Sequence, residues 1–255
     1  MFRVVIPARY ASTRLPGKPL ALLAGQPMIR RVHAQAMASG ATEVVVATDD
    51  ARIAAVCRDF GAEVEMTAAG HVSGTDRIAE VARRRGWPAT AIVVNVQADE
   101  PLLPPALIDQ AARLLDADEA ADIATLSTPI RSLGEYLDPN VVKVAATSAG
   151  RALYFSRAPI PWQRDTAPAG LASQSDFAGA RRHLGLYAYR VAALLALTAE
   201  PPAPLEQLER LEQLRALELG LTIVVADAAV VPGPGVDTAE DLAAVAALLA
   251  NGASR

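Results

Sequence analysis

Phe2-Arg-Val-Val-Ile-Pro-Ala8, continued by Arg9-Tyr-Ala-Ser-Thr-Arg14-Leu-Pro-Gly-Lys18-Pro19, decides the architecture of this chain. An apolar, β-branched run passes directly into a loop rich in turn residues and cations. The helical spacing of Met28, Ile29, Val32 and Ala36 follows, closed by Gly40. The same alternation continues outward. Strand-like runs recur at Glu43–Ala47, Glu63–Met66 and Ala91–Val96. Between them lie a helix carrying Ile53, Val56, Cys57 and Phe60, with Asp50 as its cap and Gly61 as its stop, and a helix over Asp76–Arg85. A further helix runs from Pro104 to about Asp116. Continuous rather than alternating apolar strands imply burial on both faces. The expected fold is therefore α/β, a mostly parallel Rossmann-like sheet with helices on both sides. In such sheets ligands collect at the carboxyl ends of the strands.

The second half changes rhythm. Val141–Thr147 and Arg151–Arg157 flank Ser148-Ala149-Gly150 as a β-hairpin. Gln163–Ala180, rich in Ala, Gly, Ser and Pro, reads as a loop suited to act as a lid. His183–Arg190 is strand-like, with His183, Gly185, Tyr187 and Tyr189 on one face. A Leu-rich helix over Pro204–Gly220, a strand at Thr222–Ala226 and a helix at Thr238–Ala250 follow. The reading is one domain, 1–255, with a hairpin and loop insertion at about 139–190.

Composition narrows the function. Of 255 residues 52% are hydrophobic and the formal net charge is -4, which excludes a disordered chain and a broad nucleic-acid footprint. Cys57, the single cysteine, rules out an internal disulfide and a cysteine metal cage. No apolar run approaches the ~18 residues of a membrane span, and the opening strand is too short for a secretory core. The expectation is a cytoplasmic protein with no membrane or nucleic-acid partner.

Four segments carry chemistry. Arg9, Arg14 and Lys18, embedded among Gly, Pro, Ser and Thr at the sheet's ligand edge, suit a bound triphosphate or pyrophosphate. A solvated basic loop is the alternative; neither common phosphate-loop motif occurs. Gln97, Asp99 and Glu100 end a buried strand on the same edge, where paired carboxylates suit Mg²⁺ or cap the following helix. Asp237, between a strand and a helix, is an N-cap or a second metal ligand. Ser73, Gly74 and Thr75 offer hydroxyls and approachable backbone to a base or ribose, or else simply start a helix. Arg157, His183, Tyr187, Glu212 and Gln213 form a polar set suited to a hydroxyl-rich acidic ligand, against a solvent-facing strand as the plainer reading. The stripe of Leu205, Leu208, Leu211 and Leu214 is expected in the core, as is Cys57, while His33 and His71 receive no role.

Taken together, residues 6–19, Ser73-Gly-Thr-Asp-Arg77, Gln97–Pro101, Tyr154-Phe-Ser-Arg157, Arg182-His-Leu-Gly185, Leu211-Glu-Gln-Leu-Arg215 and Gly235-Val-Asp-Thr238 resemble the 3-deoxy-manno-octulosonate cytidylyltransferases over nearly the whole chain. The resemblance implies a homodimeric nucleotidyltransferase that uses CTP, 3-deoxy-manno-octulosonate (Kdo) and Mg²⁺ to make CMP-Kdo for lipopolysaccharide. It implies catalytic roles for Arg9, Lys18 and Asp99, and CTP contacts from Ala8, Arg9, Arg14, Lys18, Ser73, Arg77, Gln97 and Asp99. Asp99 and Asp237 would hold the metal; Arg14, Gln97, Arg157, His183, Tyr187, Glu212 and Gln213 would surround the sugar acid; and the hairpin would contribute to the dimer contact. Ala98 stands where the family usually has Gly, a harmless change if that backbone is extended. Related acidic sugars, 8-amino-Kdo or a sialic acid, and a catalytically silent nucleotide-binding protein are the competing readings. The Arg14-Leu-Pro-Gly-Lys-Pro19 run favours the octulosonate group over the sialic-acid type.

Overall fold

A computed structural model of the chain describes residues 1–11, 15–167 and 169–252. Its strands are β1 (Phe2–Ala8), β2 (Leu22–Leu23), β3 (Gln26–Pro27), β4 (Glu43–Thr48), β5 (Glu63–Met66), β6 (Ile92–Asn95), β7 (Ile123–Pro129), β8 (Lys143–Ala146), β9 (Ala152–Ser156), β10 (Arg181–Arg190) and β11 (Ile223–Asp227). Its α-helices are α1 (Met28–Met37), α2 (Ala51–Asp59), α3 (Gly74–Arg84), α4 (Pro105–Asp116), α5 (Leu133–Leu137), α6 (Val191–Ala199), α7 (Pro204–Glu209), α8 (Gln213–Glu218) and α9 (Ala239–Gly252).

The main sheet runs in the order β11-β7-β10-β6-β1-β4-β5, with the β8–β9 hairpin attached through β10. β1 pairs in parallel with both β4 and β6, and β11 with β7, while β10 runs antiparallel between β6 and β7. The fully buried run Val4-Val5-Ile6 explains the layering, because alternate residues of a strand point to opposite faces. Val4 and Ile6 pack with α1, α2 and α4 through Ile29, Val32, Ile53 and Leu107. Val5 packs on the other face with α3, α6 and α8 through Ile78, Val81, Leu194 and Leu214.

From β1 the chain builds outward through β4 and β5, then returns to place β6 on the other side of β1. That reversal opens a crevice beyond the carboxyl end of β1, the place where open α/β sheets bind ligands. The loops after β1 and β6 therefore meet there.

Several elements depart from the sequence reading. β7, in the interior of the sheet, has no counterpart in it, because Thr125 and Ser127 interrupt the apolar run. Both are buried, and the Thr125 hydroxyl donates to the Leu186 carbonyl at 2.7 Å. α5 and α6 are likewise additional. The Leu-rich segment is two helices rather than one, since Arg210 turns left-handed at φ 55° and separates α7 from α8. Leu211 and Leu214 are buried as expected, but Leu205 and Leu208 face outward, Leu208 at 80% exposure. Gly61 ends α2 with positive φ, whereas α1 stops at Met37 without using Gly40, whose N–H donates to Asp109. Asp50 caps α2 through the Arg52 and Ile53 amides.

In β10, the five residues from His183 to Tyr187 face only the three from Ser127 to Thr125 of β7, a bulge that contains Gly185 at φ 72°. His183, Tyr187 and Tyr189 still share a face, but it is buried, with His183 packed edge-on to Phe155 at 5.0 Å. The solvent-facing alternative for this strand is thereby excluded.

The hairpin turns at Gly150, φ 78°, whose missing side chain admits the Val225 carbonyl to within 2.9 Å of where a Cβ would stand. Gly150→Ala is expected to cost roughly 1–3 kcal/mol from left-handed strain and this clash, measurable as a lower urea midpoint at unchanged slope.

Candidate active site

Lys18 is delivered to the crevice by its own loop. Gly17 takes φ 68° beneath the Tyr10 ring, where a Cβ would lie 3.1 Å away, and its amide donates to the Tyr10 carbonyl. Pro19 then starts a short 3₁₀ turn over Lys18–Leu20. The Lys18 Nζ donates to Asp99 Oδ2 at 2.6 Å, Asp237 Oδ1 at 3.1 Å and the Val236 carbonyl at 3.0 Å. Burial disfavours its charge, but the two carboxylates outweigh that cost and raise its pKa above the ordinary value.

Asp237 reaches Asp99 from the far end of the chain because glycines allow close contact. A Cβ on Gly233 would lie 2.6 Å from the Leu102 Cβ, and one on Gly235 would lie 2.8 Å from Glu100 Oε1. The Val236 amide donates to the Asp99 carbonyl at 2.9 Å and locks the two segments together. The N-cap reading of Asp237 fails: the Thr238 hydroxyl accepts the Asp241 amide, and the Asp241 carboxylate accepts the Thr238 amide. The capping alternative for Asp99 and Glu100 fails as well, because α4 starts at Pro104 and Pro105 without a side-chain cap.

Around this trio lies a cleft of about 270 Å³. Of the residues expected to bind nucleotide, Ala8, Arg9, Lys18, Ser73, Arg77, Gln97 and Asp99 line it; so does Asp237, while Arg14 lies outside the described residues. Ser73 caps α3 in a reciprocal box with Asp76. Arg77 is a buried wall rather than an open cation, since its guanidinium donates to the Thr67 hydroxyl and sits 3.4 Å from Asp49. Pro7, Pro19, His71, Val72, Gly74 and Ala98 complete the lining, and of these Pro7, His71 and Val72 have no role in the sequence reading. Their signal was adjacency to Ala8 and Ser73.

A second cavity of about 60 Å³ shares Gln97 and adds Glu100, Arg182, Gly185 and Gly233. Glu100 has a pKa raised to about 7, first by burial and then by the neighbouring Asp99 charge.

Of the described residues of the expected sugar set, only Gln97 lines these two cavities; Arg157, His183, Tyr187, Glu212 and Gln213 line neither. The His183 ring nitrogen meets the Thr125 hydroxyl at 2.9 Å, and burial pushes its pKa down to about 3, so the ring is neutral. The Tyr187 hydroxyl is buried with no hydrogen-bond partner among the described residues, and burial holds it well above its usual pKa. Gln213 is buried, and Glu212 accepts from the Thr75 hydroxyl beside the nucleotide loop, with a pKa raised by burial. Arg157 lies away from both cavities: it donates to the Glu209 carbonyl at 2.6 Å and the Pro139 carbonyl at 2.9 Å. The backbone between β6 and α4 shows no positive φ at Ala98, so alanine fits there without strain.

Cations and paired carboxylates at the switch point of an open α/β sheet define a nucleotide-handling transferase site. Comparison with known proteins makes the class specific. A family model described as Cytidylyltransferase matches residues 3–223. A 3-deoxy-manno-octulosonate cytidylyltransferase from Thioalkalivibrio sulfidiphilus (strain HL-EbGR7) is 55% identical over 97% of this chain and 98% of its own. One from Cellvibrio japonicus (strain Ueda107) is 57% identical over 97% and 98%. A solved structure of CMP:2-keto-3-deoxy-manno-octonic acid synthetase complexed with CTP superposes with a TM-score of 0.88 at 40% identity, covering 98% of this chain and 99% of that one. The chain belongs to the family of 3-deoxy-manno-octulosonate cytidylyltransferases. A 4-diphosphocytidyl-2C-methyl-D-erythritol synthase shares the fold at a TM-score of 0.62 and 13% identity.

The Glu100 environment sets a pH dependence. With a folded pKa of about 7 against an ordinary 4.5, its protonated form stabilises the fold fully below the unfolded value, and that contribution is lost as pH rises through the folded one. Glu100→Gln should therefore gain stability relative to the unmodified chain between about pH 4 and pH 7.5, read from urea midpoints without divalent cations.

Proposed function

We propose that this chain activates Kdo by transferring CMP from CTP, releasing pyrophosphate and forming CMP-Kdo for lipopolysaccharide synthesis. The observation that carries the reading is the convergence of Lys18, Asp99 and Asp237 on one nitrogen at the sheet's ligand edge. In the reaction the anomeric hydroxyl of the sugar acid attacks the α-phosphorus. A new P–O bond forms as the hydroxyl proton is released to solvent, the α–β anhydride bond breaks, and pyrophosphate departs with the electron pair.

Positioning and charge neutralisation are the protein's contribution to such a transfer. Lys18 and Arg9 line the cleft as cations for the departing pyrophosphate, and Lys18 can pivot from its carboxylates toward phosphate oxygens. Ser73 presents a hydroxyl on the nucleoside side, with Ala8 beside it. Gln97 borders both cavities, which suits a residue that touches nucleotide and sugar acid together. The buried Tyr187 hydroxyl, without a partner among the described residues, and the neutral His183 fit a hydrogen-bonding wall for sugar hydroxyls and carboxylate. Glu212 and Gln213 complete that wall in this reading. Arg157 does so only if it leaves the Glu209 and Pro139 carbonyls.

The described residues contain no group of three or more His, Cys, Asp or Glu side chains arranged around a metal. Two carboxylates with room for substrate phosphates nonetheless match what Mg²⁺ takes, one or two protein carboxylates plus phosphate oxygens. Asp99 and Asp237 would hold it, and the bound ion would lower the barrier by acidifying the sugar hydroxyl and offsetting charge at the α-phosphate.

We further propose a homodimer built on the hairpin side. Leu153 on β9 and Leu205 and Leu208 on α7 are exposed, and Glu209 of α7 accepts from Ser156 of β9 at 2.6 Å, so these apolar side chains lie on adjoining elements. In this reading the reaction is cytoplasmic, where CTP is available; no described helix is long and apolar enough to cross a membrane.

Pyrophosphate release measured with CTP, Mg²⁺ and a panel of Kdo, 8-amino-Kdo and sialic acid tests the assignment. Kdo is expected to give the highest kcat/KM; absence of turnover with every sugar acid would overturn it. Asp99→Asn should lower kcat by roughly 10²–10³-fold while the fold persists by circular dichroism. His183→Ala should raise the Kdo KM more than the CTP KM; equal weakening would assign it to packing instead.

A further inference from the structure

Glu80, on α3 and outside the cleft lining, gathers three groups. Its carboxylate accepts the Ala68 amide at 2.9 Å, contacts the His71 ring Nε2, and pairs with Arg84 one turn further along the helix. Ala68 and His71 both belong to the connection between β5 and α3, and that connection supplies His71, Val72 and Ser73 to the cleft. β5 lies on one side of β1 and β6 on the other. The wall from residue 71 onward therefore flanks the nucleotide loop from the side away from Asp99.

Val72 is informative because it is 84% exposed although it lines a cavity. An apolar side chain left to solvent at a cleft's edge suits the flat face of a base. Among the described residues, the Glu80 carboxylate is the hydrogen-bond partner of the partly buried His71 ring.

We infer that Glu80 is a positioning residue for the nucleotide: by gripping the His71 ring and the Ala68 amide, it holds the loop that brings His71 and Val72 against the base. The inference rests on the cytidylyl-transfer reading and adds a residue to it. The carboxylate is prepared for this part. Burial acts to raise its pKa, but His71, the Ala68 amide and Arg84 outweigh burial, and Glu80 ends below the usual carboxylate value. It therefore remains an ionised acceptor at neutral pH. The Arg84 guanidinium also donates to the Met66 carbonyl, so the same helix face ties down the start of the loop.

Steady-state pyrophosphate release with the full chain provides the test, with CTP varied at saturating Kdo and Kdo varied at saturating CTP. Glu80→Ala is expected to raise the CTP KM by about tenfold, the scale of one or two lost hydrogen bonds, with kcat and the Kdo KM within about twofold. Glu80→Gln, which can place its carbonyl oxygen where one carboxylate oxygen meets both the Ala68 amide and the His71 ring, should recover most of that loss. Because Glu80 acts through His71, the double variant Glu80→Ala/His71→Ala should bind CTP no worse than His71→Ala alone. An unchanged CTP KM in Glu80→Ala, a loss confined to kcat, or additive losses in the double variant would overturn the inference. Should Glu80→Ala not fold, His71→Ala decides, and an unchanged CTP KM there overturns it equally. Turnover of the unmodified chain with CTP and Kdo is measured first, so failure of the underlying activity is distinguished from failure of this role.

Discussion

One ammonium group shared by two aspartates organises this protein's ligand edge. Lys18 follows the first strand, Asp99 follows the strand laid beside it, and Asp237 comes from the last connection before α9. Asp99 and Asp237 are like charges drawn together, with the partly buried Glu100 close by, and only a cation or a proton makes that arrangement tolerable. Lys18 supplies that cation. The same juxtaposition puts one cation and two carboxylates at the ligand edge of a chain of the cytidylyltransferase family.

The sheet makes this convergence possible. Because β6 returns to the opposite side of β1 from β4 and β5, the loops after β1 and β6 face a common crevice. The two hydrophobic layers hold that crevice open from behind, as alternate residues of β1 anchor helices on each face. β10 adds an antiparallel strand whose bulge at Gly185 borders the smaller cavity while its aromatic residues remain packed inside.

Much of this was legible in the sequence, for identifiable reasons. The strands of the first half are continuous apolar runs, and helix stops and caps such as Gly61, Asp50 and Ser73 use chemistry that acts locally. The cations and carboxylates of the cleft were legible because their place at strand ends follows from topology. β7 was not, because its buried Thr and Ser hydroxyls are satisfied by partners distant in sequence. The break at Arg210 was not, because no glycine or proline marks it. The tie of the Arg157 guanidinium to the Glu209 and Pro139 carbonyls was not legible either, because both partners lie distant in sequence. The division between the walls of the cleft and the buried wall of His183 and Tyr187 depends on packing that no short motif encodes.

The contact between Lys18 and Asp237 joins groups 219 positions apart. During translation the cationic loop and its first aspartate emerge and can fold long before the segment that presses Asp237 and Gly235 onto them. A ribosome-bound chain thus carries an unfinished crevice through most of its synthesis. The cleft gains its Asp237 wall only when that closing segment docks, so the geometry of the ligand edge is among the last features of the fold to be completed.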